Sequence, residues 1–445
     1  MARFSFFLLS CSLSSTTGFI AKPLRHASPS VRFLHSLAAT TTTAETDVIV
    51  VGSGLGGLCC AATLAEYGYS VTVLEAHSEP GGAAHGFTQR AKGVEGAFRF
   101  DTGPSFFSGL GPEAGGSGGT NPLKDLLDAL GEEVPCHVYD TFGLLLPEGN
   151  FTHRPDFKMS TLQAVSGAPA VAQWEALEAK MAPLAAAVAA MPAAALRGDP
   201  GVALTTARFL PAFATIPGGP LTASKMTTAF SEVLDEAGVN DPFSRNWLDL
   251  LCFCLSGLPA DGTITAEMAM MFGEFYKEGA TMDYPLGGVK AVVDVLVRAI
   301  EKRGGVVRCN ARVARFLREG DVLGRGKVVG VELEPPRRRK RAADQRQQEQ
   351  EQEQQEQQEQ QEQSQQGQRA MTGRGGAEVL RARRCVVSNA GTWATEDLLA
   401  ASEDSDWRPG RGRGGEAAWR QAQRDTPACD SFMHLHLVRT CVLPS

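Results

Sequence analysis

Residues 47–82 read DVIVVGSGLGGLCCAATLAEYGYSVTVLEAHSEPGG, and this stretch decides the fold. Asp47-Val48-Ile49-Val50-Val51 is a β-branched apolar run, the pattern of a strand buried on both faces of a parallel sheet. Gly52-Ser53-Gly54-Leu55-Gly56-Gly57 follows at once, and residues 58–67 read as an Ala-, Leu- and Cys-rich helix stopped by Gly68. Residues 69–74 are a second strand that ends at Glu75. Together these elements make a βαβ unit with a GxGxxG turn. Gly52 permits the tight turn off the strand, Gly54 lets backbone approach a pyrophosphate, and Gly57 lets the helix pack closely on the sheet, with Ser53 inside the same turn. The pyrophosphate would rest on the free N–H groups and positive dipole end of the helix. Glu75 follows the first glycine by about 20 residues, where a carboxylate can accept hydrogen bonds from the adenosine ribose hydroxyls. A merely structural glycine turn would leave Glu75 unexplained, so the unit reads as dinucleotide-binding. Pro80-Gly81-Gly82 would let another length of backbone come against the cofactor, which favours FAD buried along its length over an exchanging NAD.

The rest of the composition allows this reading without requiring it. A chain of 445 residues is long enough for two or three domains. With 43 basic and 50 acidic residues its net charge of -7 offers no general attraction for phosphates, so no nucleic-acid partner is expected. Ten cysteines are scattered, and the close pairs Cys59-Cys60 and Cys252-x-Cys254 lack CxxC spacing; most read as small buried hydrophobes in a reducing compartment. No Ser-His-Asp set, HExxH motif or paired His/Cys ligand set stands out, so no metal is expected and catalytic residues stay unassigned. His434-x-His436 places two imidazoles on one face of a strand, read as packing or hydrogen-bonding groups for want of a third ligand.

Residues 1–46 read as a targeting presequence. Arg3 precedes an apolar run over residues 4–9 that is too short to span a bilayer, and a Ser/Thr-rich stretch follows, with no acidic residue before Glu45. Ser-, Arg- and His-containing sequence continues through His26, Arg32 and His35, as if two signals stood in series. The arrangement resembles the bipartite plastid presequence of algae with secondary plastids, in which a phenylalanine, here Phe19, follows the signal cleavage point. Ordinary secretion is the alternative, which the sequon Asn150-Phe151-Thr152 would suit.

Residues 48–87, with FRFDTGPSFFSGL at 98–110, resemble the carotenoid isomerase and phytoene desaturase group of flavoproteins, nearest its prolycopene isomerase-like branch, which in turn resembles retinol saturases. Further similar blocks are NPLKDLLDALGE (121–132), YPLGGVKAVVDVL (284–296), GGVVRCNARVARF (304–316), CVVSNAGTW (385–393) and CDSFMHLHL (429–437). The resemblance implies an α/β fold class: an FAD-binding Rossmann-type, glutathione reductase-like domain with an interleaved α+β substrate domain. It implies that backbone around Val313 contacts the adenine, that the loops at Gly287-Gly288 and Asn389-Ala390 approach the cofactor, and that the stretches holding His85, Asp101 and Gly103 lie towards the flavin. For Val313 a plain core role, and for the glycines helix punctuation, stay open. A proton-relay role for His85 or Asp101 is a further expectation. The implied reaction is cis–trans isomerisation of a polyene without net redox change. Desaturation, saturation of a retinol-like alcohol and carotenoid hydration are its neighbours.

The division expected along the chain places FAD-binding segments at 47–104, 281–334 and 377–428 and the substrate domain at 105–280. Val292, Val295, Leu296, Ala299 and Ile300 mark one face of a helix ending at Gly304-Gly305. Residues 181–226 are Ala-, Leu-, Pro- and Met-rich with few charges; they suit a peripheral plastid membrane contact, an apolar tunnel for a carotenoid, or an ordinary core helix pair. Residues 335–376, a basic run followed by a Gln/Glu tract, read as a disordered insertion swelling a hairpin between strands at 327–333 and 378–383. Residues 429–445 begin a returning substrate-domain strand. Relatives would continue from there into a second FAD-contacting segment, so the reading includes a truncated chain or a non-catalytic carotenoid-binding remnant.

Overall fold

The computed structural model describes residues 43–90, 97–103, 107–111, 121–154, 156–190, 225–276, 280–320, 326–335, 378–402 and 415–427. Residues 1–42, most of the Gln/Glu insertion, and the segment carrying His434 and His436 lie outside these residues, whereas Thr43–Thr46, read as the end of the presequence, begin a strand paired with residues 379–382.

The opening motif folds as β1 (Thr43–Val51), α1 (Leu55–Glu66) and β2 (Val71–Leu74). Beyond it come β3 (Gly86–Gln89), β4 (Phe98–Asp101), α2 (Pro122–Leu130), β5 (Cys136–Tyr139), β6 (Phe142–Leu146) and β7 (Gly149–His153). A helical stretch follows, with α3 (Gly167–Ala190), α4 (Phe230–Glu236), α5 (Pro242–Ser256) and α6 (Thr265–Phe275). The chain returns through β8 (Met282–Pro285), α7 (Lys290–Lys302), β9 (Val306–Arg308), β10 (Val313–Gly320), β11 (Gly326–Leu333) and β12 (Val379–Ser388), followed by α8 (Thr392–Ala400) and α9 (Gly415–Arg424), the last elements among the described residues.

Six strands form the main sheet in the order β10-β11-β12-β1-β2-β9. The half around β1 is parallel and the β10-β11-β12 half is antiparallel, so the sheet is mixed. The strand alternation of β1 explains why its run is apolar throughout. Val48 and Val50 enter a core with α1, α2 and α7, whereas Ile49 and Val51 enter a second core with Leu74, Val313, Phe316 and Val331 on the other face. The FAD-binding Rossmann-type reading of the fold class thus has the expected βαβ unit at its centre.

The stripe expected on α7 is buried as read: Val292, Val295, Leu296, Ala299 and Ile300 all face the core. Leu296→Ala should therefore cost about 2–5 kcal/mol, measured as a lower urea midpoint at unchanged slope. β11 and β12 pair antiparallel, with Gly330 opposite Arg381 and Val331 opposite Leu380, so the long insertion does join two strands of a hairpin.

Two expectations need correction. The division at residue 105 does not follow the packing, because Leu127 and Leu130 of α2, with Val134, lie in the core of the dinucleotide unit against α1 and α7. The helical region has its own core from Phe157 to Phe272, and Met181, Leu184, Ala187 and Met226 lie in it while Ala182 and Ala186 are exposed. The cysteines are also less buried than expected. Cys252 is buried, but Cys254 and Cys385 are exposed because they occupy the outward positions of α5 and β12. Among the described residues no helix is long and apolar enough to cross a membrane.

Candidate dinucleotide site and adjoining cleft

The turn after β1 is built by steric need. Gly52 has φ +96° and its N–H donates to Leu74 O at 2.8 Å, which bends the chain across the end of β2. A β-carbon at Gly57 would stand 2.2 Å from Gly52 O, so only glycine lets α1 start this close to the strand. No side chain caps the first turn of α1, whose N-cap is Gly54. Its leading amides thus remain available to an anion.

Ser53 and Glu75 lock this turn to the second strand. The Glu75 carboxylate accepts from Ser53 N–H at 3.0 Å, from Ser53 Oγ at 2.5 Å, and from His77 N–H at 2.8 Å. Burial works to raise the Glu75 pKa, but the hydrogen bonds from Ser53 and His77 outweigh it and hold the group below its ordinary value. Ser53 is fully buried, and its Oγ also accepts from Gly81 N–H at 3.2 Å. Its side chain therefore positions Glu75 and the Pro80-Gly81-Gly82 turn. Gly81 bridges Gly54, and a β-carbon at Gly82 would come within 3.0 Å of Gly54 Cα, so the paired glycines seat this turn directly on the first loop.

The other expected residues converge on the same end of the sheet. Asn389 N–H donates to Val51 O at 2.7 Å, and its side-chain amide stands over the loop, 3.0 Å from a β-carbon built on Gly54 and 2.9 Å from one on Gly56. Glu75 O accepts from Ala311 N–H at 2.7 Å, which brings the chain before Val313 alongside the carboxylate, while the Val313 side chain itself is core. Gly103 packs on the turn after Gly82, where a β-carbon would lie 2.4 Å from Ala83 O. Gly288 is held under Asp101, with a β-carbon position 2.2 Å from Asp101 Oδ1.

Asp101 is engaged structurally. Its Oδ1 accepts from Val289 N–H at 2.9 Å, at the entry to α7, and its Oδ2 accepts from Tyr284 OH at 3.3 Å. His85 keeps a chemical option. Its Nδ1 lies 2.7 Å from Gly82 O, an acceptor, so the neutral ring carries its proton on Nδ1 and leaves Nε2 as a base. His85 and Asp101 line a cleft of about 900 Å³ together with Phe87, Leu286, Lys290 and Arg298. Sequence reasoning missed His77 and Lys290. His77 clamps Glu75 through its amide and sets its ring 5.2 Å from His85, and Lys290 pairs with Asp294 at 2.7 Å. Neither stands in a spaced motif; only the closeness of His77 to Glu75 in the chain hinted at its part.

Residues 50–129 match the family of NAD(P)-binding Rossmann-like domains. Across a longer span the chain is 26% identical over 316 residues to prolycopene isomerase 1, chloroplastic, of an Oncidium hybrid cultivar, covering 65% of this chain and 46% of that protein. It is equally similar, 26% over 313 residues, to human all-trans-retinol 13,14-reductase, covering 67% of this chain and 46% of the relative. The chain thus spans about half the length of the curated relatives it matches. Among solved structures, an oxidoreductase from Methanosarcina mazei superposes with a TM-score of 0.47 at 16% identity, covering 85% of this chain and 65% of the other.

Proposed function

We propose that this chain is an FAD-dependent enzyme of carotenoid metabolism that isomerises a prolycopene-like polyene from cis to trans. The observation that carries the cofactor assignment is the Glu75 carboxylate, fixed by Ser53 and His77 beside the uncapped start of α1. The donor set fits FAD. Glu75 would take the ribose hydroxyls, the leading amides of α1 the pyrophosphate, and the chain before Val313 the adenine. When bound, FAD supplies electron transfer to or from a conjugated system. The protein orients the polyene and excludes water, and His85 Nε2 is placed to hold or accept a proton at the cleft.

The substrate class rests on the plant prolycopene isomerase similarity, which also supports plastid residence directed by the N-terminal presequence. Because a carotenoid is delivered from lipid, peripheral contact with a plastid membrane is part of the same proposal. Equal identity to a retinol reductase favours a second reading, saturation of a polyene alcohol. Anaerobic incubation of flavin-loaded protein, its flavin oxidised in one arm and pre-reduced in the other, with a cis-lycopene and with a retinol-like alcohol, followed by chromatography and mass measurement, separates them. An all-trans product of unchanged mass is expected. A product two hydrogens heavier points to the saturase, and a lighter one to a desaturase.

A further inference from the structure

β7 alternates outward and inward, and its last inward residue is a histidine. His153 is 1% exposed, and neither ring nitrogen has a hydrogen-bond partner. Aromatic rings enclose it. Phe275 stacks at 4.8 Å and 10°, Phe142 at 4.6 Å and 27°, and Trp247 at 5.6 Å, with Phe157 at 5.5 Å and the edge of Tyr276 at 6.0 Å. Tyr276 OH accepts from Trp247 Nε1 at 2.8 Å and makes no hydrogen bond to the ring. The imidazole is therefore an orphaned polar group inside an apolar cage, a rare and costly arrangement.

One edge of the cage differs. A void of about 10 Å³, room for about one water, touches His153, Asp140, Phe275, Ala280, Thr281 and Met282. The charged and titratable groups facing the ring are Asp140 before β6, Asp156 after β7, and Tyr276 at the end of α6. Both carboxylates are exposed, so neither forms a ready-made ion pair inside the cage.

We propose that His153 is a buried proton-binding site whose occupation drives the β6–β7 hairpin off α5 and α6 and unpacks the helical region. A protonated ring needs acceptors for two N–H groups, and the void has room for about one water, which can serve only one of them. The facing rings attract a cation, but that attraction offsets only part of the lost hydration. Movement of β7 towards the Asp140 side is what brings the second acceptor, further water or the carboxylate itself, to the ring. Burial accordingly pushes the His153 pKa down to about 4, with Asp156 pulling weakly the other way. The unfolded chain binds this proton near pH 6.5. Between about pH 6.5 and 4 the unfolded state therefore holds a proton that the folded state refuses, and stability falls as pH drops through that window.

The test is urea unfolding of the full chain, followed by tryptophan fluorescence, for wild type and His153→Phe between pH 7.5 and 4.5. The wild-type unfolding constant is expected to rise roughly 50- to 100-fold more than the variant's across that range. Parallel pH profiles for the two proteins would overturn the proposal. Should His153→Phe fail to fold at neutral pH, ring-labelled histidine NMR on the wild type decides. A buried imidazole still neutral at about pH 5 supports the assignment, and one that titrates near pH 6.5 in a packed core refutes it.

Discussion

Replacing Glu75 by alanine is expected to weaken flavin retention by roughly 10- to 100-fold, read as the flavin-to-protein ratio and as the affinity on reconstitution. Losing hydrogen bonds to a charged acceptor costs about 1.5–3 kcal/mol, and each 1.4 kcal/mol is worth about tenfold in affinity. The same change strands Ser53 Oγ, which is fully buried and donates to this carboxylate. A modest loss of stability should accompany it. Glu75→Gln separates the two effects in large part, because its one amide oxygen can still accept from Ser53 N–H and Oγ. The amide nitrogen in the other position gives up the His77 N–H bond, and the side chain carries no charge for the ribose hydroxyls. It should retain stability better than flavin. The pH dependence has a definite sign. Since the folded group is held below its ordinary pKa of 4.5, its contribution is fully present above that value and is lost only as pH falls through the lower folded one. Retention attributable to Glu75 should stay flat from neutral pH to about pH 5. Unchanged flavin content in Glu75→Ala would show the ribose assignment to be wrong.

Local patterns made the centre of the fold readable. The β-branched run at 48–51, the glycines at 52, 54 and 57 and the stop at Gly68 each act within a few residues of themselves, so β1, α1 and β2 fall where they were read, within a few residues. The α7 stripe was legible for the same reason, since its period alone reveals the buried face. What faces a stripe is a different matter. Leu127 and Leu130 announce an amphipathic helix, but nothing in residues 121–132 says that α1 and α7 cover it instead of the substrate region. The site divides in the same way. Glu75 was found by its distance from a glycine motif, whereas the Ser53–Glu75–Gly81 lock joins three separate segments that no spacing connects. Asp101 drew attention because it stands in a family-like block, and only its contacts at Val289 and Tyr284 reveal an acceptor at a helix entry. His153 carried no signal in its sequence, because what makes it unusual comes from rings at positions 142, 157, 247 and 275.

Gly57→Ala should abolish flavin binding and lower the melting temperature by roughly 5–10 °C, while Gly56→Ala, one residue away, should do neither. Both add a single methyl group to the first turn of α1, so helix propensity favours each substitution equally. The difference lies in what the methyl meets. At Gly57 it falls 2.2 Å from Gly52 O, a backbone atom already held by the bend into Leu74, so relief requires α1 to slide away from β1. That slide pulls the leading amides off the position where a pyrophosphate would lie and loosens Ser53 from Glu75. Overpacking of this kind costs about 1–3 kcal/mol even where neighbours can give way. At Gly56 the nearest atom, 2.9 Å away, is the Asn389 side-chain oxygen, which can rotate aside. Differential scanning of both variants with and without added FAD makes the comparison. If Gly56→Ala lost flavin as completely as Gly57→Ala, the Asn389 side chain, and not the closeness of α1 to β1, would be the feature on which binding depends.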